Sequence, residues 1–560
     1  MTKLSSKYGR ESRGLIYMDR FKIEEKNVNN STLKRCTFAI ISHPDAGKTT
    51  MTEKLLWFGR VIRKTGMVKS KHGNFAKSDW MEIEKERGIS ISSSVMSFPY
   101  RNRAMHLLDT PGHKDFSEDT YRTLTAVESV LMMIDSAKGV EEQTIKLMEV
   151  SRMRDTPIVT FMNKFDRDTM DPFELLDNLE SILSIQCVPM TWPIGSGVEF
   201  KGIYDLRDKK IRIFEDEQDP ENPVEINAEN LDAKEVIDFI GEDLVEKLKH
   251  DLEMVTGLIP SLDTEEFLAG IQTPVFFGSA LNNFGVKETL DMISELGPGP
   301  KAREAKEEPF EADAPVCSIQ PSHEKFTGFV FKIQANMDKK HRDRIAFLRV
   351  CSGVFKRNQK IHHVRTGKDI KISSPLIFQA QDREIAEEAF AGDIIGLHDS
   401  GKYHIGDTFT EGEKIQFTGI PNFAPEIFRK VTLKDPLKGK QLDKGLKQLS
   451  EEGTVQCFTR HTSPEKILGA VGDLQFEVVK HRLENEYNVR GDYEGFPFVG
   501  IRWLKFENEQ EKNTFISTYG HNIAYDNKGR PCFCVRSEWD LKLVKDKNPN
   551  VHFYKNSDFR

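Results

Sequence analysis

Cysteine is scarce in this chain: seven in 560 residues, at Cys36, Cys187, Cys317, Cys351, Cys457, Cys532 and Cys534. None has the paired CxxC spacing of a zinc site, and thiols this sparse do not build a disulfide scaffold. The simplest compartment is a reducing one, so a cytoplasmic location is expected. Cys532-Phe533-Cys534 reads as part of a strand, with its two thiols expected on opposite faces. Also missing is any apolar run long enough to cross a bilayer, and the N-terminus has no apolar signal-peptide core. A role in a membrane is therefore not expected. A strong net charge is absent too, at −8, but this is a cancellation. Glu215–Glu266 carries eighteen Asp or Glu against three Lys or Arg, a net of −15 that leaves +7 on the rest. A charge run of this kind reads as a solvated face. The mildly basic remainder suits a polyanionic partner, and surface solubility accounts for it equally well.

With 30% charged and 38% hydrophobic residues the composition is that of a soluble globular protein. The length exceeds one core, and about three or four domains are expected. Residues 1–33 are polar and basic without a period and read as a weakly ordered extension. The chain is organised around the stretch that follows. An apolar run, Phe38-Ala39-Ile40-Ile41, leads into Ser42-His43-Pro44-Asp45-Ala46-Gly47-Lys48-Thr49-Thr50, and a helical pattern begins with Met51, Leu55 and Leu56 on one side. Strand, small-residue turn and helix form a phosphate-binding P-loop, although Ser42 stands where GxxxxGK[ST] has its first glycine. Backbone amides and the helix N-terminus face the phosphates, Lys48 can reach the β- and γ-phosphates, and the Thr49 hydroxyl can bind Mg²⁺.

Three later strand ends add to this. Ala104–Leu108 ends in Asp109-Thr110-Pro111-Gly112-His113, where an acid can hold Mg²⁺ through water and a glycine permits close approach to a γ-phosphate. Pro157–Met162 ends in Asn163-Lys164-Phe165-Asp166. A carboxylate there accepts the paired N–H donors of guanine, which adenine lacks, so Asp166 selects GTP, while Asn163 and Lys164 brace the loops. Pro274–Gly278 leads into Ser279-Ala280, a turn that can cap the base. Between the first and second motifs, Arg87-Gly88-Ile89-Ser90-Ile91 offers the Ser90 hydroxyl.

With these motifs the sequence resembles the translational GTPases. Within them Ser42–Gly47, Ser78-Asp79-Trp80-Met81-Glu82 and Asp115-Phe116-Ser117-Glu118-Asp119-Thr120-Tyr121-Arg122 are most similar to the bacterial class II peptide-chain release factors, the release factor three family. In that family the serine at position 42 is the usual form. The resemblance implies a ribosome-dependent GTPase, with GTP or GDP and Mg²⁺ as cofactors, that promotes dissociation of class I release factors after peptide release. It implies that Thr49 and Ser90 are direct Mg²⁺ ligands, that Asp109 acts through water, and that His113 orients the attacking water. Threonine is usual where Ser90 stands, and the hydroxyl remains. Partners would be ribosomal RNA and proteins, and no DNA; a monomer is expected. The acidic segment then has a basic ribosomal protein as an alternative partner. Another translational GTPase, translocase-like or ribosome-protecting, and a non-ribosomal regulatory GTPase remain as alternatives.

The expected fold is multidomain. A P-loop GTPase α/β domain spans 34–300, with an insert over about 190–272 in which 200–205 and Glu242–Leu252 read as strand and helix. A linker is expected over 301–315, then a β-barrel domain over 316–418 and an α+β domain over 419–560. Phe326, Phe329 and Phe331 are expected in the barrel core. In the last domain Leu442, Leu446 and Leu449 mark one helix face, among Lys438, Lys440, Lys444 and Lys447, and a second helix is expected from Asp473 to about Glu486.

Overall fold

The computed structural model describes residues 34–62, 83–84, 90–213, 224–310, 314–335, 343–379, 382–421 and 424–555. The N-terminal extension 1–33, the marker stretch 78–82 and Arg87–Ile89 lie outside these residues.

The first domain is built on seven strands in the order β2-β3-β1-β4-β5-β11-β6. These are β1 (Lys34–Ser42), β2 (Ser94–Tyr100), β3 (Arg103–Asp109), β4 (Ser129–Asp135), β5 (Ile158–Asn163), β6 (Gln186–Pro189) and β11 (Gln272–Phe277). All neighbours run parallel except β2, which pairs antiparallel with β3 at the edge. The inner strands are continuous apolar runs because helices cover both faces of a parallel sheet; β4 is buried at every position. The chain moves from β1 to β3 on one side and to β4 on the other. The loop after β1 therefore opens at the crevice where strand order reverses, the usual ligand position in such sheets.

The acidic insert folds against this domain. A four-stranded antiparallel sheet, β7 (Thr191–Ile194), β8 (Gly202–Asp205), β9 (Lys210–Ile213) and β10 (Val224–Asn227), is followed by helices Lys234–Ile240, Glu242–Leu258 and Thr264–Leu268. Arg212 ties the insert down: it bonds Asp205 and reaches Glu288 of the first-domain helix Val286–Leu296 at 3.3 Å. Burial pushes the Glu288 carboxyl up to about 6 against the pull of Arg212.

The stretch expected to be a linker is different. Arg303–Glu307 is a strand, antiparallel to Val316–Ile319 on one side and Ile415–Phe417 on the other. Its charged residues flank Ala305, which is fully buried opposite Phe417, and that composition disguised it as linker. The second domain continues as an eight-stranded antiparallel sheet, with Thr327–Ala335 and Arg344–Ser352 at its centre. Irregular register between those two strands, at Thr327/Gly328 and Val330/Lys332, helps the sheet bend. Phe326, Phe329 and Phe331 are core residues.

This domain is bound to the first through buried charge. Asp393 accepts from Arg35 Nε at 3.0 Å and lies 3.0 Å from His106 Nε2. Burial would raise the Asp393 carboxyl, but these partners hold it at about 2. Arg349 donates to Glu128 at 2.6 Å and to Thr37 Oγ1 at 2.9 Å, and Arg303 donates to Glu128 and to the Thr125 carbonyl.

The last domain places helices Gly439–Glu451 and Asp473–Tyr487 beside an eight-stranded sheet, with Leu442, Leu446, Leu449, Val479 and Leu483 in their shared core. Lys440, Lys444 and Lys447 are exposed on the opposite side. Cys532 and Cys534 correct the sequence expectation. Both thiols are buried in one cluster with Phe458 and Trp503, and Phe533 enters another cluster with Phe515. Side chains alternate along a strand, so residues two apart share a face.

Candidate functional site

The loop after β1 turns through Asp45 (φ 65°) and Gly47 (φ 95°) before helix α1 (Lys48–Phe58) begins. Gly47 is required twice over. Its φ lies in the left-handed region, and a Cβ there would sit 2.2 Å from Asn163 Nδ2. The first-turn N–H groups of α1 have no partner within the helix and carry its positive end. Lys48, 6% exposed, donates to Asp109 Oδ1 at 2.5 Å. Asp109 Oδ2 is buried without a hydrogen-bond partner, as is His43 Nδ1, while His43 Nε2 lies 3.1 Å from Glu141. An orphaned carboxylate oxygen beside Lys48, with a threonine as the second residue of α1, fits a hydrated Mg²⁺ and a nucleotide phosphate.

The Asp109–His113 turn is clamped to the P-loop. Thr110 Oγ1 donates to the Ile40 carbonyl at 2.6 Å, and a Cβ on Gly112 would meet the Pro44 backbone at 3.4 Å. Pro111 O accepts from Thr120 Oγ1 at 3.1 Å. His113 precedes a short 3₁₀ turn, Lys114–Phe116, and its Nδ1 accepts the Asp115 N–H at 3.2 Å. An accepting Nδ1 assigns the proton of a neutral imidazole to Nε2.

Asn163 joins two loops. Its Nδ2 donates to the Ala46 carbonyl at 2.8 Å, and its Oδ1 accepts the Ala280 N–H at 2.9 Å. Lys164, at φ 77°, donates to Asp135 Oδ2 at 2.7 Å. Asp166 Oδ1 accepts the Ser279 hydroxyl at 2.5 Å. The Phe165 ring stands apart from this polar set: it is fully buried, edge-on to Phe277. The structure thus brings together the P-loop, the Asp109–His113 turn, the Asn163–Asp166 loop and the Ser279-Ala280 turn. Ser90 lies on a separate segment, half-buried, just before Ile91, whose N–H is held by Glu84 at 2.9 Å.

Sequence reasoning did not single out Asp135, Glu84 or Glu141. Asp135 alone left a signal, as the acid ending the apolar run of β4.

Two other domains reach this site. Lys332 of the second domain donates to Ser92 Oγ at 2.7 Å and to the Ser93 carbonyl, and lies 3.4 Å from Asp119. Phe116 packs in a cluster with Ile83, Ile91 and Val478 of the last domain.

Three family models match the chain in succession. The elongation factor Tu GTP binding domain covers 33–298, elongation factor G domain 2 covers 325–412, and the class II release factor RF3 C-terminal domain covers 417–545. The chain is also similar in fold to a crystal structure of a protein from Thermus thermophilus. That match has a TM-score of 0.66 and 21% identity, over 88% of this chain and 72% of the other. Among the described residues no helix is long and apolar enough to cross a membrane.

Proposed function

The chain belongs to the RF3-type translational GTPases, and on that premise we propose that it hydrolyses GTP on the ribosome to drive class I release factors off after peptide release. The observation that carries this reading is the docking of an RF3-type C-terminal domain onto the turn that bears His113, within a GTP-binding domain. The work would be done in the cytoplasm by a monomer.

The protein's part in the reaction is positioning and charge stabilisation. Lys48 leaves Asp109 for the β- and γ-phosphates, and the amides of the Gly47 turn and of the first turn of α1 take the remaining phosphate oxygens. Bound Mg²⁺ supplies neutralisation of phosphate charge. Thr49 and Ser90 would hold it directly and Asp109 through water. Asp166 takes the guanine N–H pair, with Ser279 fixing its carboxylate and Asn163 joining the base and phosphate loops. His113, protonated on Nε2, donates to the attacking water and so orients it without acting as its base. Ser42, Pro44, Thr50 and Thr110 shape the loops around these groups.

Two measurements test the reading. His113→Ala should lose ribosome-stimulated single-turnover hydrolysis while keeping nucleotide affinity; normal stimulated turnover would remove His113 from the mechanism. The cellular role is tested on post-termination ribosomes, where GTP and this protein should accelerate release-factor dissociation. Unchanged dissociation would sink the role and leave the GTPase assignment standing.

A further inference from the structure

Asp115 lies two residues beyond His113 and is 5% exposed. Its backbone N–H goes to His113 Nδ1, and its Oδ1 lies 3.4 Å from the same nitrogen. Its other carboxylate oxygen accepts the backbone N–H of Leu474 at 2.9 Å. Leu474 is in the first turn of the helix Asp473–Tyr487 of the last domain, and that helix is preceded by Gly472 at its N-cap position. A glycine has no side chain with which to cap, and a first-turn N–H needs an acceptor. The acceptor comes from another domain, and it is a carboxylate, which also suits the positive end of the helix.

Gly472 is there for space. Its backbone is extended (φ −148°, ψ 166°), which any residue adopts, but a Cβ would lie 2.0 Å from the Asp115 carboxyl carbon. The contact is enclosed, since Phe116 is buried beside Ile83, Ile91 and Val478 of the same helix. Gln475 supplies the rest of the cap, accepting from Val471 N–H and Gly472 N–H.

We infer that Asp115 is a positioning residue through which the C-terminal domain sets the His113 imidazole. With the helix docked, the carboxylate is fixed by the Leu474 N–H, and the two-residue turn that presents an N–H to His113 Nδ1 is fixed with it. When the helix withdraws, the carboxylate exchanges its fixed donor for mobile water, so the turn and the ring lose their common support. The relay rests on the role assigned to His113 above. It makes GTP hydrolysis depend on where the C-terminal domain stands.

The test uses the full-length protein and 70S ribosomes. Single-turnover hydrolysis is measured against ribosome concentration, which separates the rate at saturation from ribosome affinity, and a fluorescent GDP titration reports nucleotide binding. Gly472→Ala, made in the other domain, should lower the saturated rate at least tenfold with GDP affinity within twofold of wild type. Asp115→Ala should do the same, and the double variant should be no slower than the slower single one, because both break one link. Asp115→Asn keeps an oxygen for the Leu474 N–H and should stay within threefold of wild type. A full saturated rate in Gly472→Ala, or losses that multiply in the double variant, overturns the relay. If Gly472→Ala does not fold, the Asp115 pair decides: asparagine as slow as alanine also overturns it. His113→Ala separates the two claims. Normal turnover in that variant removes the role of His113 and the relay with it, whereas an inactive His113→Ala beside a full-rate Gly472→Ala removes the relay alone.

Discussion

Asn163→Ala tests whether one side chain holds the base and phosphate halves of the site together. Asn163 is 3% exposed and makes two bonds, one to the Ala46 carbonyl in the P-loop and one from the Ala280 N–H in the turn after β11. Truncation removes both partners. A buried backbone group left unpaired costs about 1–3 kcal/mol, so the two together amount to ~2–6 kcal/mol. On the proposed reading both groups belong to loops that close on the nucleotide, so the loss should fall chiefly on binding. Taking the lower end, ~2 kcal/mol raises the dissociation constant about 30-fold. The γ-phosphate is not involved, so GTP and GDP should weaken by the same factor. Titration of fluorescent guanine nucleotides, with circular dichroism to verify the fold, measures this directly. Asn163→Asp gives an internal comparison: it keeps the acceptor for Ala280 and sets a carboxylate against the Ala46 carbonyl, so it should also fail. A folded Asn163→Ala protein that binds GDP within threefold of wild type would refute the brace.

The remaining predictions concern the base and the domain contact. Asp166→Asn reverses the hydrogen-bonding sense of its side chain and should move preference from GTP to xanthosine triphosphate; competition binding that still favours GTP to the wild-type extent would exclude Asp166 as the selector. Asp393 is held at about 2 against an ordinary 3.8, so its contribution to stability, ~2 kcal/mol, is present above pH 4 and is lost as pH falls from 4 towards 2. Asp393→Asn should therefore be destabilised by about that amount at pH 7 in urea unfolding, with the gap to wild type closing in acid. A gap independent of pH would show that the charge of Asp393 does not stabilise the contact.

What was legible in the sequence follows from the range of the interactions. Phosphate binding needs a short contiguous turn, so Asp45–Thr50 carries its own signature, and buried parallel strands such as Val130–Ile134 show as unbroken apolar runs. The GTP-binding, β-rich and α+β succession could be read on that basis. Arg303–Glu307 could not, because four of its five residues are charged and its partners lie at 316–319 and 415–417. Asp115 lies in a stretch that resembles the family, but its partner Leu474 is 359 residues away and no local pattern announces the pairing. The Arg35–Asp393 and Arg349–Glu128 pairs are invisible for the same reason. The shared face of Cys532 and Cys534 differs from the expectation for a local reason: residues two apart on a strand point the same way.

The strand Arg303–Glu307 also bears on the mechanics of the molecule. The chain leaves the GTPase domain and within a few residues is hydrogen-bonded on both edges into the next domain, while Arg303 grips Thr125 and Glu128 behind it. A connection stitched on both sides transmits torque; it does not swivel. The first two domains are therefore coupled through backbone hydrogen bonds on both edges of one strand as well as through buried ion pairs.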